Sequence, residues 1–309
     1  MTDAPRAGGV KQILVTGGNG QLGTELKRYS WPEGWAVTAI DIDELDLRDT
    51  TAIAAMVASE PWGAVISAGA YTAVDKAESD IVTAWAVNAL APAAFAEGCA
   101  KAGIPIVQVS TDYVFDGARD GAWEVTDPVA PLGVYGASKL GGELAVRTSG
   151  ARHAIVRTAW VVSAHGSNFV KTMLRVGATN PTLRVVDDQH GSPTSAADLA
   201  AALATIAMRL VDDPSAPTGT YHFSNAGAVT WAGFAREIFA QSAARGGARA
   251  EVQGITTAEY PTPAIRPANS LLSHDAITRD YGIRPPAWQT ALGNILDELL
   301  GTPKKDISR

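Results

Sequence analysis

Apolar residues in the first half of the chain come in short blocks, separated by glycine, proline or acidic turns. Ile13 to Thr16, Trp35 to Ile40, Ala64 to Ser67, Ile106 to Val109 and His153 to Trp160 are runs of four to eight residues with no sustained polar face. That is the pattern of strands buried on both sides. Helical patterns lie between them. One passes through Glu25, Leu26 and Tyr29, a long alanine-rich one runs from about Asp80 to Ala102, interrupted by Pro92, and one carries Tyr135 and Lys139. The alternation predicts an α/β fold, a doubly wound parallel sheet with helices on both faces. Binding sites in such sheets lie beyond the carboxyl ends of the strands. Thr16-Gly17, Asp41, Ala68 to Ala70 and Thr111 all fall at such ends, which points to one common site.

Past Trp160 the pattern loosens. Helices are expected over Asn168 to about Val176, Ser195 to Leu210 with Ser195 as N-cap, Trp231 to Ala244, and about Trp288 to Leu300. Strands are expected at Thr182 to Val186 and Thr220 to Ser224. The segment Tyr260 to Pro267 is a rigid proline-rich loop, and Gly301 to Arg309 a polar tail. This divides the chain into a nucleotide-binding unit over 1–160 and a smaller lobe over 161–309, with an interleaved boundary.

At 309 residues the chain can bury a sizeable core, and 46% apolar with 18% charged residues is ordinary for a globular protein. No apolar run approaches the roughly 20 residues needed to span a bilayer. Met1 to Gln12 lack the apolar core of a secretory signal. One cysteine, Cys99, excludes an internal disulfide and fits a reducing cytoplasm. A formal charge of −7 gives no footprint for nucleic acid, and the five histidines are scattered without metal-ligand spacing. No metal site is expected.

The chemistry is concentrated in three places. Gly17-Gly18-Asn19-Gly20-Gln21-Leu22-Gly23 links the first strand to the first helix, the order needed to lay a pyrophosphate on a helix N-terminus. The spacing is G-x-x-G-x-x-G, a variant of the dinucleotide fingerprint. Asp41 ends the second strand, where an acidic residue would meet ribose hydroxyls and repel a 2′-phosphate. Ser110-Thr111-Asp112-Tyr113 follows the fourth strand, and Tyr135 and Lys139 sit one helical turn apart on one face. A cation beside a phenol favours its ionised form, so Lys139 is expected to lower the pKa of Tyr135. A hydroxyl, a phenol and an ammonium suit proton transfer to a ketone oxygen, and hydride must then come from a redox cofactor. Alone, Y-x-x-x-K is more often an exposed helix face; the glycine turn and Thr111 reverse that balance.

Taken together, these segments resemble the extended short-chain dehydrogenase/reductase family and, within it, the dTDP-4-dehydrorhamnose reductases. The likeness runs nearly end to end, through Gly20-Gln21-Leu22-Gly23, Thr72 to Glu78, Ser110 to Gly117, Val134-Tyr135-Gly136 with Lys139, and Arg157 to Trp160. It continues through Asn168 to Arg175, Asp188 to Thr194, Tyr260 to Pro263, Arg266-Pro267 and Asn269-Ser270. The resemblance implies a Rossmann-like domain with a C-terminal substrate lobe. It implies reduction of a sugar C4 ketone in a dTDP-sugar, with NADPH or NADH as cofactor. Tyr135, Lys139 and Thr111 would be catalytic. Gly17, Gly20, Gln21, Leu22, Gly23, Asp41, Asp46, Leu47, Ala70, Tyr71 and Thr72 would hold the cofactor together with Tyr135 and Lys139. Thr111, Asp112, Tyr113 and Trp160 would meet the sugar, and Asn168, Lys171 and Arg266 the nucleotide diphosphate. A homodimer and a cytoplasmic location are the assembly and place expected. Two other readings share these residues: a nucleotide-sugar epimerase or dehydratase of the same superfamily, and a non-catalytic subunit resembling the methionine adenosyltransferase beta subunit.

Overall fold

The computed structural model describes residues 10–303, so most of the amino-terminal stretch and the end of the polar tail lie outside the described residues. The first half builds β1 (Lys11–Thr16), α1 (Gln21–Arg28), β2 (Trp35–Ile40), α2 (Thr50–Ala58), β3 (Ala64–Ser67), α3 (Val74–Ala77), α4 (Ile81–Trp85), α5 (Ala91–Ala102), β4 (Ile106–Thr111), α6 (Val134–Thr148) and β5 (His153–Thr158). The second half adds β6 (Val161–Val162), α7 (Phe169–Gly177), β7 (Thr182–Val186), β8 (His190–Gly191), β9 (Thr194–Ser195), α8 (Ala196–Asp212) and β10 (Gly219–His222). It ends with β11 (Val229–Thr230), α9 (Trp231–Ala244), β12 (Glu251–Ile255), α10 (Asp275–Tyr281) and α11 (Trp288–Leu300).

Six strands form one parallel sheet in the order β10-β5-β4-β3-β1-β2. The chain leaves β1 to one side for β2 and returns to the other for β3, so the order reverses between β1 and β3. That reversal opens a crevice at the strands' carboxyl ends. Leu26 of α1, Leu199, Leu203 and Ile206 of α8 and Ile277 of α10 bury one face of the sheet, while Ile53 and Val57 of α2, Phe95 and Cys99 of α5 and Val146 of α6 bury the other. Both α8 and β10 come from beyond Trp160 and are integral to these layers. A separate cluster of Val170, Phe234, Ile238, Leu292 and Leu296 packs α7, α9 and α11 into the smaller lobe.

Several elements differ from the sequence expectation. The stretch Asp80 to Ala102 is two α-helices joined by a π-helical turn, Ala86–Leu90. Pro92 has no N–H for the carbonyl of Asn88, and the helix widens there rather than ending. The strand placed at His153 to Trp160 stops at Thr158, and β12 and α10 carry too few apolar residues to be found by periodicity. β12 pairs in parallel with β7 all the same. Among the described residues no helix is long and apolar enough to cross a membrane.

Behind the sheet end lies a buried ion pair. Glu143 of α6 accepts from Arg157 Nε and Nη2 of β5, both at 2.8 Å, and from Ser110 Oγ at 2.6 Å. Arg157 in turn lies over the Phe115 ring, 5.0 Å from its centre. Glu143→Ala would leave the Arg157 charge buried without a partner and should cost about 3–5 kcal/mol. Lys101→Ala, which breaks an exposed pair with Glu97, should cost under about 1 kcal/mol. Urea unfolding midpoints of the two variants check the contrast, and equal shifts would refute it.

Candidate active site

The glycine turn is shaped by backbone contact. Gly17 has φ +75°, and a Cβ there would lie 2.8 Å from the Cα of Gly69. A Cβ on Gly23 would fall 2.1 Å from the carbonyl oxygen of Gly17, so α1 can start this close to β1 only without a side chain. Thr16 Oγ1 accepts from Ala68 N at 3.1 Å and Gly69 N at 2.9 Å, tying the ends of β1 and β3 together at the strand-order reversal. Gly20 caps α1 without any side-chain bond to its first amides, and the first turn holds no acidic residue. An open helix N-terminus in this position fits a pyrophosphate. The residues present therefore suit a dinucleotide.

Its outer end is acidic. The Asp41 carboxylate accepts from Asn19 N at 2.7 Å and Ile42 N at 2.8 Å, which joins the end of β2 to the glycine turn. Asp46 accepts from Arg48 Nε at 2.9 Å, and this hydrogen bond holds its carboxyl down at about 2. Leu47 packs on Gly69, where a Cβ would meet its side chain at 2.7 Å. The loop Ala70-Tyr71-Thr72 is clamped by Asn88, whose amide accepts from Tyr71 N at 2.9 Å and donates to Tyr71 O at 3.1 Å. Asn88 also donates to Ser138 Oγ, and Ser138 donates to the carbonyl of Tyr135. The π-helical turn is what aims Asn88 at both.

At the inner end, Thr111 closes β4. Its hydroxyl donates to Asp112 Oδ1 at 2.9 Å and accepts from Tyr113 N at 3.2 Å. Ser110, one residue earlier, gives its hydroxyl to Glu143 instead. Tyr135 meets Tyr113 edge to face, with ring centres 5.4 Å apart. Lys139 Nζ donates to the carbonyl of Val109 at 2.7 Å. Burial pushes the Tyr135 phenol up to about 12, against the pull of the nearby Thr111 hydroxyl and with the help of the Asp112 charge. Burial also pulls Lys139 down to about 8, opposed by Glu143. The expected lowering of Tyr135 by Lys139 is thus absent. The ammonium is anchored to the strand backbone at the carbonyl of Val109, and loss of water sets the direction of the Tyr135 shift. Asp112 is itself raised to about 6 by burial, and its Oδ2 has no hydrogen-bond partner.

All these residues line one cleft of about 930 Å³: the glycine turn, Asp41, Asp46, Leu47, Ala70 to Thr72, Thr111 to Tyr113, Tyr135, Lys139 and Trp160. Trp160 has φ +48°, the one positive φ outside glycine among the described residues, a conformation that costs about 1–3 kcal/mol. Three residues expected at the diphosphate are not brought to the lining. Asn168 caps α7 through Lys171 N and donates to Gln21 Oε1, and Lys171 Nζ donates to Ala164 O. Arg266 makes a two-armed pair with Asp75, at 2.6 and 2.8 Å, that holds the proline-rich loop against α3. Asn19, Arg48 and Ser167 line the cleft without having been singled out from the sequence. Asn88 had a legible signal, standing four residues before a proline inside a helix.

Comparison with known proteins agrees with this geometry over the full length. The family model of the RmlD substrate binding domain matches residues 11–300. A dTDP-4-dehydrorhamnose reductase of Sinorhizobium fredii is 43% identical over 290 residues, 94% of this chain and 98% of that protein. The crystal structure of a dTDP-4-dehydrorhamnose reductase from Bacillus anthracis in complex with NADP superposes with a TM-score of 0.86 at 33% identity, covering 93% of this chain and 99% of that one. Its counterpart from Clostridium acetobutylicum gives 0.86 at 36% identity, with the same coverage. With a family model matching residues 11–300 and relatives of this identity covering more than nine-tenths of both chains, the chain belongs to the dTDP-4-dehydrorhamnose reductase family.

Proposed function

We propose that this protein reduces the C4 ketone of dTDP-4-dehydro-L-rhamnose to give dTDP-L-rhamnose, with NADPH or NADH as the reductant. The observation that carries the reading is convergence: Thr111, Tyr135 and Lys139 meet the glycine turn in one cleft at the strand-order reversal. When bound, the nicotinamide supplies the hydride to C4. Tyr135 holds the proton. With its phenol at about 12 it stays protonated at neutral pH. It can still give that proton to an oxygen becoming an alkoxide, whose conjugate acid is a much weaker acid than the phenol. Thr111 donates its single proton to Asp112 in the free protein, so it turns to the reacting oxygen by exchanging that bond. Lys139, fixed by Val109 O, keeps two further N–H groups for the nicotinamide ribose.

In this reading Gly17, Gly20, Gln21, Leu22 and Gly23 cradle the pyrophosphate, Asp41 meets the ribose, and Asp46, Leu47 and Ala70 to Thr72 enclose the adenosine. Asp112, Tyr113 and Trp160 form the sugar wall. Asn168, Lys171 and Arg266 belong to the outer, diphosphate end, where Arg266 would have to exchange Asp75 for phosphate. Residues 1–160 supply most of the cofactor contacts and 161–309 most of the lobe over the substrate. The reading carries with it a cytoplasmic site of action, a dTDP-sugar rather than a nucleic acid as partner, and a homodimer as assembly.

Incubation with dTDP-4-dehydro-L-rhamnose and either reduced nicotinamide should consume the cofactor stoichiometrically, and Tyr135→Phe should lose roughly 10²-fold or more in kcat. Cofactor absorbance that does not fall faster with the native protein than with Tyr135→Phe would remove the reductase assignment.

The pH dependence follows from Lys139. Its depressed value means the cation is present below about 8 and lost above it, while Tyr135 keeps its proton throughout. NADPH affinity should therefore fall on the alkaline side with a midpoint near 8. Lys139→Met should abolish that limb and bind NADPH roughly ten- to a hundredfold more weakly. A limb that survives in the variant belongs to another group.

A further inference from the structure

Trp160 is held in its strained backbone by residues outside the cleft. Its indole stacks on Trp231, with ring centres 3.6 Å apart and planes 14° from parallel. On its benzo ring lies Gly191, where a Cβ would fall 2.6 Å from a ring carbon. These two contacts share one origin, because β8 and β11 pair antiparallel with Val229 opposite Gly191, and Trp231 follows directly on β11. Trp231 is itself fixed. It is the first residue of α9 behind the N-cap Thr230, and Phe169 of α7 packs on its ring at 4.6 Å. The backbone of Trp160 is tied by its carbonyl, which accepts from Thr194 N at 3.1 Å.

Trp160 lines the cleft, and Trp231 is not among the residues that line it. We propose that Trp231 is a positioning residue: by stacking on Trp160 it fixes that indole as a flat wall for the sugar ring, and so sets affinity for the sugar nucleotide without touching it. The proposal rests on the reading of Trp160 as part of the sugar wall. Its logic is that a strained, aromatic, cleft-facing residue stays in place only when its surroundings over-determine it. Stacking between two indoles is directional as well as apolar, so an aliphatic side chain of similar bulk cannot replace it.

The test uses Trp231→Leu, Trp231→Phe, Gly191→Ala and Trp160→Leu in the full chain. Two readouts are taken: the separate KM values for dTDP-4-dehydro-L-rhamnose and NADPH, and the exciton couplet that two stacked indoles give in circular dichroism. Trp231→Leu should lose the couplet and raise the sugar KM about three- to tenfold, with the NADPH KM unchanged. Trp231→Phe should regain most of the sugar affinity, since one ring still offers a face. Gly191→Ala should give the same split by forcing a methyl into the indole, and it decides the matter if Trp231→Leu does not fold. A sugar KM that stays put in a folded Trp231→Leu, once its couplet is lost, overturns the proposal. So does a joint rise of both KM values, which marks a general structural role. Failure of the parent reading looks different, because Trp160→Leu would then leave the sugar KM unchanged as well, whereas a wrong Trp231 role leaves Trp160→Leu with a raised sugar KM.

Discussion

The site depends on how closely two backbone segments meet at the end of β1. Thr16 has one side-chain oxygen, and it accepts from two successive amides at the end of β3. Gly17 and Gly69 face each other there with no room for a methyl between them, and Gly23 brings α1 onto the same turn. A parallel sheet that reverses its strand order leaves a crevice at this point in any case. The close approach is what turns the crevice into a seat for a flat, charged dinucleotide. A side chain at Gly17 or Gly23 would push helix and strand apart and withdraw the amides at the N-terminus of α1.

The second constraint is on α6, which must present Tyr135 and Lys139 to that seat at a fixed height. Two polar connections set it. One runs from the Tyr71 backbone through Asn88 and Ser138 to the carbonyl of Tyr135. The other is the Glu143 carboxylate, a turn beyond Lys139, bound to Ser110 and Arg157 of the neighbouring strands. Both are buried, so each bond is directional and costly to leave unmade. The same strand end is thereby divided: Ser110 serves the anchoring of the helix, and Thr111, next to it, serves the cleft. Opposite-facing neighbours on a strand make such a division natural.

How much of this could be read from the sequence follows from which interactions are local. The glycine turn, the Tyr135/Lys139 pair and the buried strands are patterns over a few residues, and the structure places them as expected. The interruption expected in the long alanine-rich helix at Pro92 takes the form of a widened turn just ahead of it, over Ala86–Leu90. What periodicity cannot supply is pairing at long range. Arg266 looks like a phosphate clamp from its chemistry, yet it closes on Asp75, 191 residues away. Trp231 gives no sign of its contact with Trp160, because that contact depends on two two-residue strands pairing across a loop. Short strands carry almost no periodic signal.

The pKa of Tyr135 is where local pattern reasoning gave the wrong sign, and the reason is instructive for the chemistry. Spacing on a helix places Lys139 near the phenol, and an isolated pair in water would show the expected lowering. Here Lys139 is buried and Tyr135 half-buried, and loss of water acts on each in the direction of neutrality: the phenol goes up to about 12 and the ammonium down to about 8. A phenol tuned to ionise at neutral pH would suit removal of a proton from an alcohol. One that keeps its proton suits the opposite task, delivery to an oxygen that has just taken hydride at its carbon. The nearby Asp112 carboxylate, which opposes ionisation of Tyr135, works in the same sense. The electrostatics of the free protein therefore keep the proton on Tyr135, while Lys139 is held by the strand backbone through the carbonyl of Val109.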